Sequence, residues 1–180
     1  MQSAKQIMIF KTAPHNPPHF FVADATYMLT ASTYEKAHLM KLPQRKAEWR
    51  DAFHEAAKIY QWQIIAWVVL DNHYHTVVQS PQNAFALSKF ISSYHKFTAR
   101  KWSNEDNTNG RQVWWNYWDT CVRSERDYYN RIRYVFWNPV KHGLADKPED
   151  YNFSNYGEYL DQLQDFDFAG MSELNDVPEF

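Results

Sequence analysis

Apolar and polar positions along the 180-residue chain change period several times, and each change marks an element. The segment "FFVADATYMLTAST", residues 20–33, alternates loosely and is rich in β-formers, which predicts a first strand. From Pro43 onward, "QRKAEWRDAFHEAAKIY" sets Ala47, Phe53, Ala56, Ala57 and Tyr60 near helical spacing. "WQIIAWVVL" is a continuous apolar run of strand length, and "HYHTVVQS" follows the turn-forming pair Asp71-Asn72, so an antiparallel hairpin is expected. A second amphipathic helix is read in "QNAFALSKFISSYHKFTARKW", with Phe90, Ile91, Tyr94 and Phe97 on one face. After the loop "NEDNTNG", "RQVWWNYWDTCVR" reads as the last strand. "SERDYYNRIRYVFWN" then reads as a helix that starts at Ser124, with Asp127 three residues on, and stops at Pro139.

The order strand, helix, strand, strand, helix, strand predicts an α+β chain. The expected architecture is a ferredoxin-like (RRM-like) antiparallel sheet with helices on one face, plus one helix added after the last strand. Because that fold carries many activities, function has to be argued from side chains.

Length fits one domain, residues 19–160, between two segments of different character. Residues 1–18 carry Pro14, Pro17 and Pro18 and read as an irregular arm. Residues 161–180 hold six acids and no Lys or Arg, an acidic tail that leaves 19 basic against 15 acidic side chains before it. The net charge of −2 thus conceals a mildly cationic body. A single cysteine, Cys121, excludes an internal disulfide and a thiolate metal cluster and predicts a reduced, cytoplasmic setting. No apolar run is long enough to cross a membrane, so no membrane partner is expected. Aromatic residues make up 18% of the chain, enough for some rings to meet nucleobases as well as the core.

His73 and His75 sit two apart in a predicted strand and therefore project together, with Tyr74 on the other face. Neutral imidazoles so placed can share a divalent cation, but two ligands are too few. The last helix offers a third. At about 100° per residue, Tyr128, Tyr129, Ile132, Val135 and Phe136 gather on an apolar side, while Asp127, Arg131, Tyr134 and Asn138 fall opposite. Tyr134 and Asn138, one turn apart, can bring a phenol and an amide oxygen to one point; a half-exposed tyrosine and an amide capping the helix before Pro139 would give the same pattern.

These residues carry a resemblance. "LDNHYH", then a helix, then "WWNYWDTCVRSERDYYNRIRYVFWNPVKHGL" and "PEDYNFSNYGEY", is similar to the REP-associated tyrosine transposases, relatives of the single-tyrosine HUH transposases of IS200-like elements. The similarity spans roughly Tyr27 to Tyr159 and is most specific at "YVFWNPVKHG". It implies that residues 19–160 form a catalytic domain in which His73, His75 and Asn138 hold Mg²⁺ or Mn²⁺ and Tyr134 is the nucleophile. It implies cleavage and rejoining of single-stranded DNA at a hairpin-forming palindromic repeat through a 5′-phosphotyrosine. Insertion-sequence relatives exchange the tyrosine helix between protomers while REP-associated members can act as monomers, so monomer and homodimer both stay open. The glycine-free connection "DTCVRSERD" favours a tyrosine working within its own chain.

Phosphate contacts are expected from Arg100 and Lys101 after the second helix, Arg123 and Arg126 around the turn into the last helix, Arg131, and Lys141 with His142. Trp114, Trp115 and Trp118 are candidates for stacking on unpaired bases. Competing readings are a hairpin-binding protein without cleavage activity, a replication-initiator or relaxase-type nickase, and a metal-dependent phosphodiesterase in which Tyr134 is no nucleophile.

Overall fold

The computed structural model describes residues 9–11, 19–21, 23–82 and 87–163. Along the chain these form β1 (Ile9–Lys11), β2 (His19–Phe21), β3 (Thr26–Thr33), α1 (Pro43–Tyr60), β4 (Gln63–Val69), β5 (His73–Gln79), α2 (Leu87–Glu105), β6 (Trp114–Cys121), α3 (Glu125–Lys141) and α4 (Tyr156–Leu163). Strands β4, β5, β3 and β6 lie in that order in one fully antiparallel sheet, the arrangement the element order predicts.

The two faces of the sheet carry different cores. Helices α1 and α2 cover one face, where Trp49, Phe53, Phe90 and Tyr94 pack with Tyr27 and Tyr74 of the sheet. Trp49 stacks on Phe53 at 5.0 Å and Trp62 on Phe90 at 5.2 Å, so these rings serve the core. Helix α3 covers the other face through Ile132, Val135 and Phe136, which meet Ile65, Ala66, Val68 and Val77. Full burial of each such side chain contributes roughly 1.5–3 kcal/mol.

A bulge in β4 lets one strand serve both cores. Ile64 pairs with Val78 and Ala66 with Val77, so Ile65 is inserted. Ile65 and Ala66 then both face α3, and Trp67 returns to the side of α1. Asn155 holds this irregular stretch: its Oδ1 accepts from the Trp67 amide at 2.7 Å and its Nδ2 donates to the Ile65 carbonyl at 3.0 Å.

Four expectations need correction. Residues 20–33 are not one strand: β2 pairs with β1 in a separate two-stranded sheet, and the chain turns at Asp24, with φ 53°, before β3. The arm is accordingly extended and paired at Ile9–Lys11; its other residues, like those after Leu163, lie outside the described set. Helix α3 does not stop at Pro139 but runs on to Lys141. A proline in the final turn removes one helical hydrogen bond, and burial of Asn138 and Pro139 together with the bonds His142 N–H to Asn138 O and Leu144 N–H to Pro139 O holds that turn closed. Helix α4 had no counterpart among the expected elements. The cap at Ser124 is as predicted, its Oγ accepting from the Asp127 amide at 3.1 Å. Among the described residues no helix is long and apolar enough to cross a membrane.

Candidate active site

The hairpin turn before the histidines is held from several sides. Leu70 donates to the His73 carbonyl at 2.8 Å across Asp71-Asn72, and the Asp71 carboxylate binds the buried Lys46 ammonium at 2.6 Å. Strand alternation then turns Tyr74 into the α1–α2 core and His73 and His75 to the α3 side.

Helix α3 brings its polar stripe to the same place. That stripe is not turned to water: Tyr134 is 4% and Asn138 1% exposed, which removes the half-exposed alternative. The Tyr134 ring meets His75 edge-on at 5.0 Å between centroids, and the Asn138 Oδ1 lies 3.3 Å from His73 Nε2. His73, His75, Tyr134 and Lys141 line one cleft of about 340 Å³. The Lys141 ammonium stands 5.5 Å from the centre of the Tyr134 ring.

Hydrogen bonds on the far side of each imidazole set its orientation. Asn72 donates through Nδ2 to the Lys36 carbonyl at 3.1 Å, which fixes its amide, so its Oδ1 accepts the Nδ1 proton of His73 at 2.7 Å. His73 Nε2 therefore carries a lone pair. His75 Nδ1 is bonded to Thr30 Oγ1 at 2.8 Å, leaving Nε2 on its cleft side. Burial, followed by the charge of His142, lowers the His73 pKa to about 4, and burial followed by His73 holds His75 well below the ordinary histidine value. Both rings are neutral at physiological pH, the state a metal ligand needs.

A cation fits these residues on one specific observation. His73 Nε2 and Asn138 Oδ1 are both acceptors, yet they face one another at 3.3 Å, while Asn138 Nδ2 is buried without a hydrogen-bond partner. Two lone-pair donors so placed can share a cation, whereas the amide turned over would let Nδ2 donate to the imidazole instead. The donor set, imidazole nitrogen and amide oxygen, suits a divalent first-row or alkaline-earth ion. Among the described residues no group of three or more His, Cys, Asp and Glu side chains is placed to hold a metal.

The expected phosphate contacts divide by location. Lys141 and His142 line the cleft. Arg123 and Arg126 are exposed at the opposite end of α3. Arg131 is bonded to Asp127 at 2.7 Å and to Met28 Sδ at 3.3 Å. Arg100 and Lys101 lie on α2, on the other face of the sheet, and Lys101 is paired with Glu48 and Glu105. Reading the chain alone missed Asn72, Thr30 and Lys36. Asn72 is legible beside the histidines, whereas Thr30 becomes visible only once β3 is registered against β5. His142 enters as an imidazole 4.9 Å from that of His73, a closeness its sequence position does not signal.

The pattern over residues 21–122 matches the family of IS200-like transposases, more than half of the chain, with both cleft histidines inside it. The chain belongs to that family. A candidate REP-associated tyrosine transposase of Haemophilus influenzae is 25% identical over 118 residues, 61% of this chain and 67% of its own. The REP-associated tyrosine transposase of Escherichia coli is 23% identical over 163 residues, covering 89% of this chain and 92% of that protein. Among solved structures, a REP-associated tyrosine transposase bound to a REP hairpin superposes with a TM-score of 0.67 at 18% identity, covering 93% of each chain. That likeness establishes the shared sheet-and-helix fold. The family therefore makes the chain a transposase enzyme; the family match ends before α3, so the role of Tyr134 is argued from position.

Proposed function

We propose that the cleft cleaves and rejoins single-stranded DNA at a hairpin-forming repeat, with Tyr134 as nucleophile and His73, His75 and Asn138 as ligands of Mg²⁺ or Mn²⁺. The observation that carries this reading is the Tyr134 ring packed 5.0 Å from His75 in the cleft lined by His73, whose Nε2 lies 3.3 Å from the buried Asn138 Oδ1. The hairpin named for the superposing transposase supports DNA of that shape as the partner.

When bound, the divalent ion supplies charge stabilisation at a phosphate oxygen. The chain supplies the rest. Tyr134 Oη attacks phosphorus in line; the P–O3′ bond breaks, the phenol proton passes to water, and the 3′ oxygen is released as a hydroxyl. The product is a 5′-phosphotyrosine that keeps the phosphodiester bond energy, so another 3′-OH can reverse the step without a nucleotide cofactor. Lys141, 5.5 Å over the ring, contributes positive charge as the phenol loses its proton. Asn72 holds the His73 imidazole in one tautomer, and Thr30 orients that of His75.

The test is incubation with labelled palindromic-repeat hairpins taken from the flanks of the gene, in Mn²⁺. A covalent protein–DNA adduct is expected from wild type and none from Tyr134→Phe, with hairpin binding retained. Hydrolysis without adduct would leave the phosphodiesterase reading, and binding without cleavage the hairpin-binding one.

A further inference from the structure

Each cleft histidine heads a row of side chains that runs across the sheet. His75 pairs with Thr30 of β3, and Thr30 pairs with Trp118 of β6. His73 pairs with Ser32, and Ser32 faces an irregularity in β6, because Ala31 pairs with Tyr117 while Thr33 pairs with Trp114. Trp115 and Asn116 thus stand together against Ser32. In such a two-against-one bulge both residues turn to the face of the single residue opposite, here the face of His73. The rows read imidazole, short hydroxyl, indole. With strands ~4.8 Å apart, Trp115 lies roughly 10 Å from His73 across the sheet.

The indoles of β6 differ in their surroundings. Trp114 is in the helix-side core, stacked on His95 at 4.4 Å. Trp115 is 50% exposed, its ring 5.1 Å from that of Tyr34 at a tilt of 39°. The tyrosine steadies one side of the indole and leaves half of its surface to solvent. Tyr34 is itself tied in place by its backbone N–H, which donates to the Val113 carbonyl at 2.8 Å. The next residues, Glu35 and Lys36, both take φ of 53°, and this left-handed turn carries Lys36 into the lining of the cleft. An aromatic surface thus adjoins a rim that carries the Lys36 and Lys141 charges, while the nearby Asp71 carboxylate is offset by Lys46.

We propose that Trp115, braced by Tyr34, is a stacking platform for an unpaired nucleobase next to the phosphate held at Tyr134. The inference rests on the single-stranded DNA reading above and assigns it a base subsite. A half-exposed indole beside cations matches an unpaired nucleotide, which offers a π face and an anion together. Thr30 and Ser32 leave a low floor between ring and cleft over which a sugar–phosphate link can pass. Stacking of this kind tolerates any base, so the platform would set where the flanking strand lies and leave the choice of sequence to other contacts.

The experiment compares a labelled oligothymidylate with an abasic strand of the same length and charge, at one fixed salt concentration. Wild type is expected to bind the thymidylate more tightly, and Trp115→Ala to lose about ten-fold on that strand alone. Trp115→Phe should restore most of the loss. Equal binding of both strands by wild type, or an unchanged preference in Trp115→Ala, overturns the platform. Adduct formation at Tyr134 on hairpin DNA reports separately on the cleavage reading, so each idea can fail without the other.

Discussion

Asn72 Oδ1 receives the Nδ1 proton of His73 at 2.7 Å while its own amide nitrogen is spent on the Lys36 carbonyl, so a single side chain fixes which nitrogen of His73 faces Asn138. Asn72→Ala should leave the fold intact but release the imidazole to either tautomer. Removing such an outer partner weakens metal affinity by about 10–100-fold. Mn²⁺ titration calorimetry measures the loss, and ¹⁵N shifts of the His73 ring in the metal-free protein report the tautomer directly. An unchanged tautomer in Asn72→Ala would show that the hydrogen bond follows the ring and does not set it.

Asn138 carries a cost in the metal-free protein, since its Nδ2 is buried without a partner and its Oδ1 faces His73 Nε2. Asn138→Leu keeps comparable volume and removes both problems. The metal-free variant should melt no lower than wild type, with a gain on the order of 1 kcal/mol, and should form no adduct. A large loss of stability in urea would mean that the amide serves the fold instead.

Much of this was legible because two periodicities in the sequence are strict. The two-residue spacing of His73 and His75 fixes a shared face in any strand, and the four-residue spacing of Tyr134 and Asn138 fixes a shared stripe in any helix. The eye for polarity was less reliable. The stripe holding Tyr134 also carries Asp127 and Arg131, which left a half-exposed tyrosine open, yet those two bond each other and Tyr134 and Asn138 are buried. Lys101 shows the converse: a charge that reads as a phosphate contact is engaged by Glu48 and Glu105, partners far from it or beside it in sequence. Both bulges were invisible, because inserting Ile65, or one extra residue at Trp115-Asn116, changes which face a residue takes without altering composition.

Asn155 joins the bulged edge strand to the segment before α4 by two hydrogen bonds, to Trp67 N–H and Ile65 C=O, and is 4% exposed. Asn155→Ala strands both backbone groups where water does not reach easily. Each orphaned group costs roughly 1–3 kcal/mol, so a loss of about 2–6 kcal/mol in urea unfolding is expected. Asn155→Asp should fall between, since a carboxylate still accepts from Trp67 but cannot donate to Ile65. A loss near zero would mean that water or a shifted strand replaces the amide.

Acid should affect stability and metal binding differently. Burial lowers His73 to about 4 and His95 to about 3, against an ordinary value near 6.5 in the unfolded chain. Below 6.5 the unfolded state takes up protons that the folded state refuses. Stability is therefore complete above about pH 6.5 and declines as the pH falls towards 4, and urea midpoints of the metal-free protein should show that slope. Mn²⁺ binding has no proton to displace from His73 until the pH nears its lowered value. The affinity should thus stay flat between about pH 7.5 and 5.5, a range in which two exposed histidines would lose most of theirs. A steep fall in Mn²⁺ affinity starting near pH 6.5 would mean that the imidazoles titrate freely in solution, and the buried, pre-neutralised ligand pair would have to be abandoned.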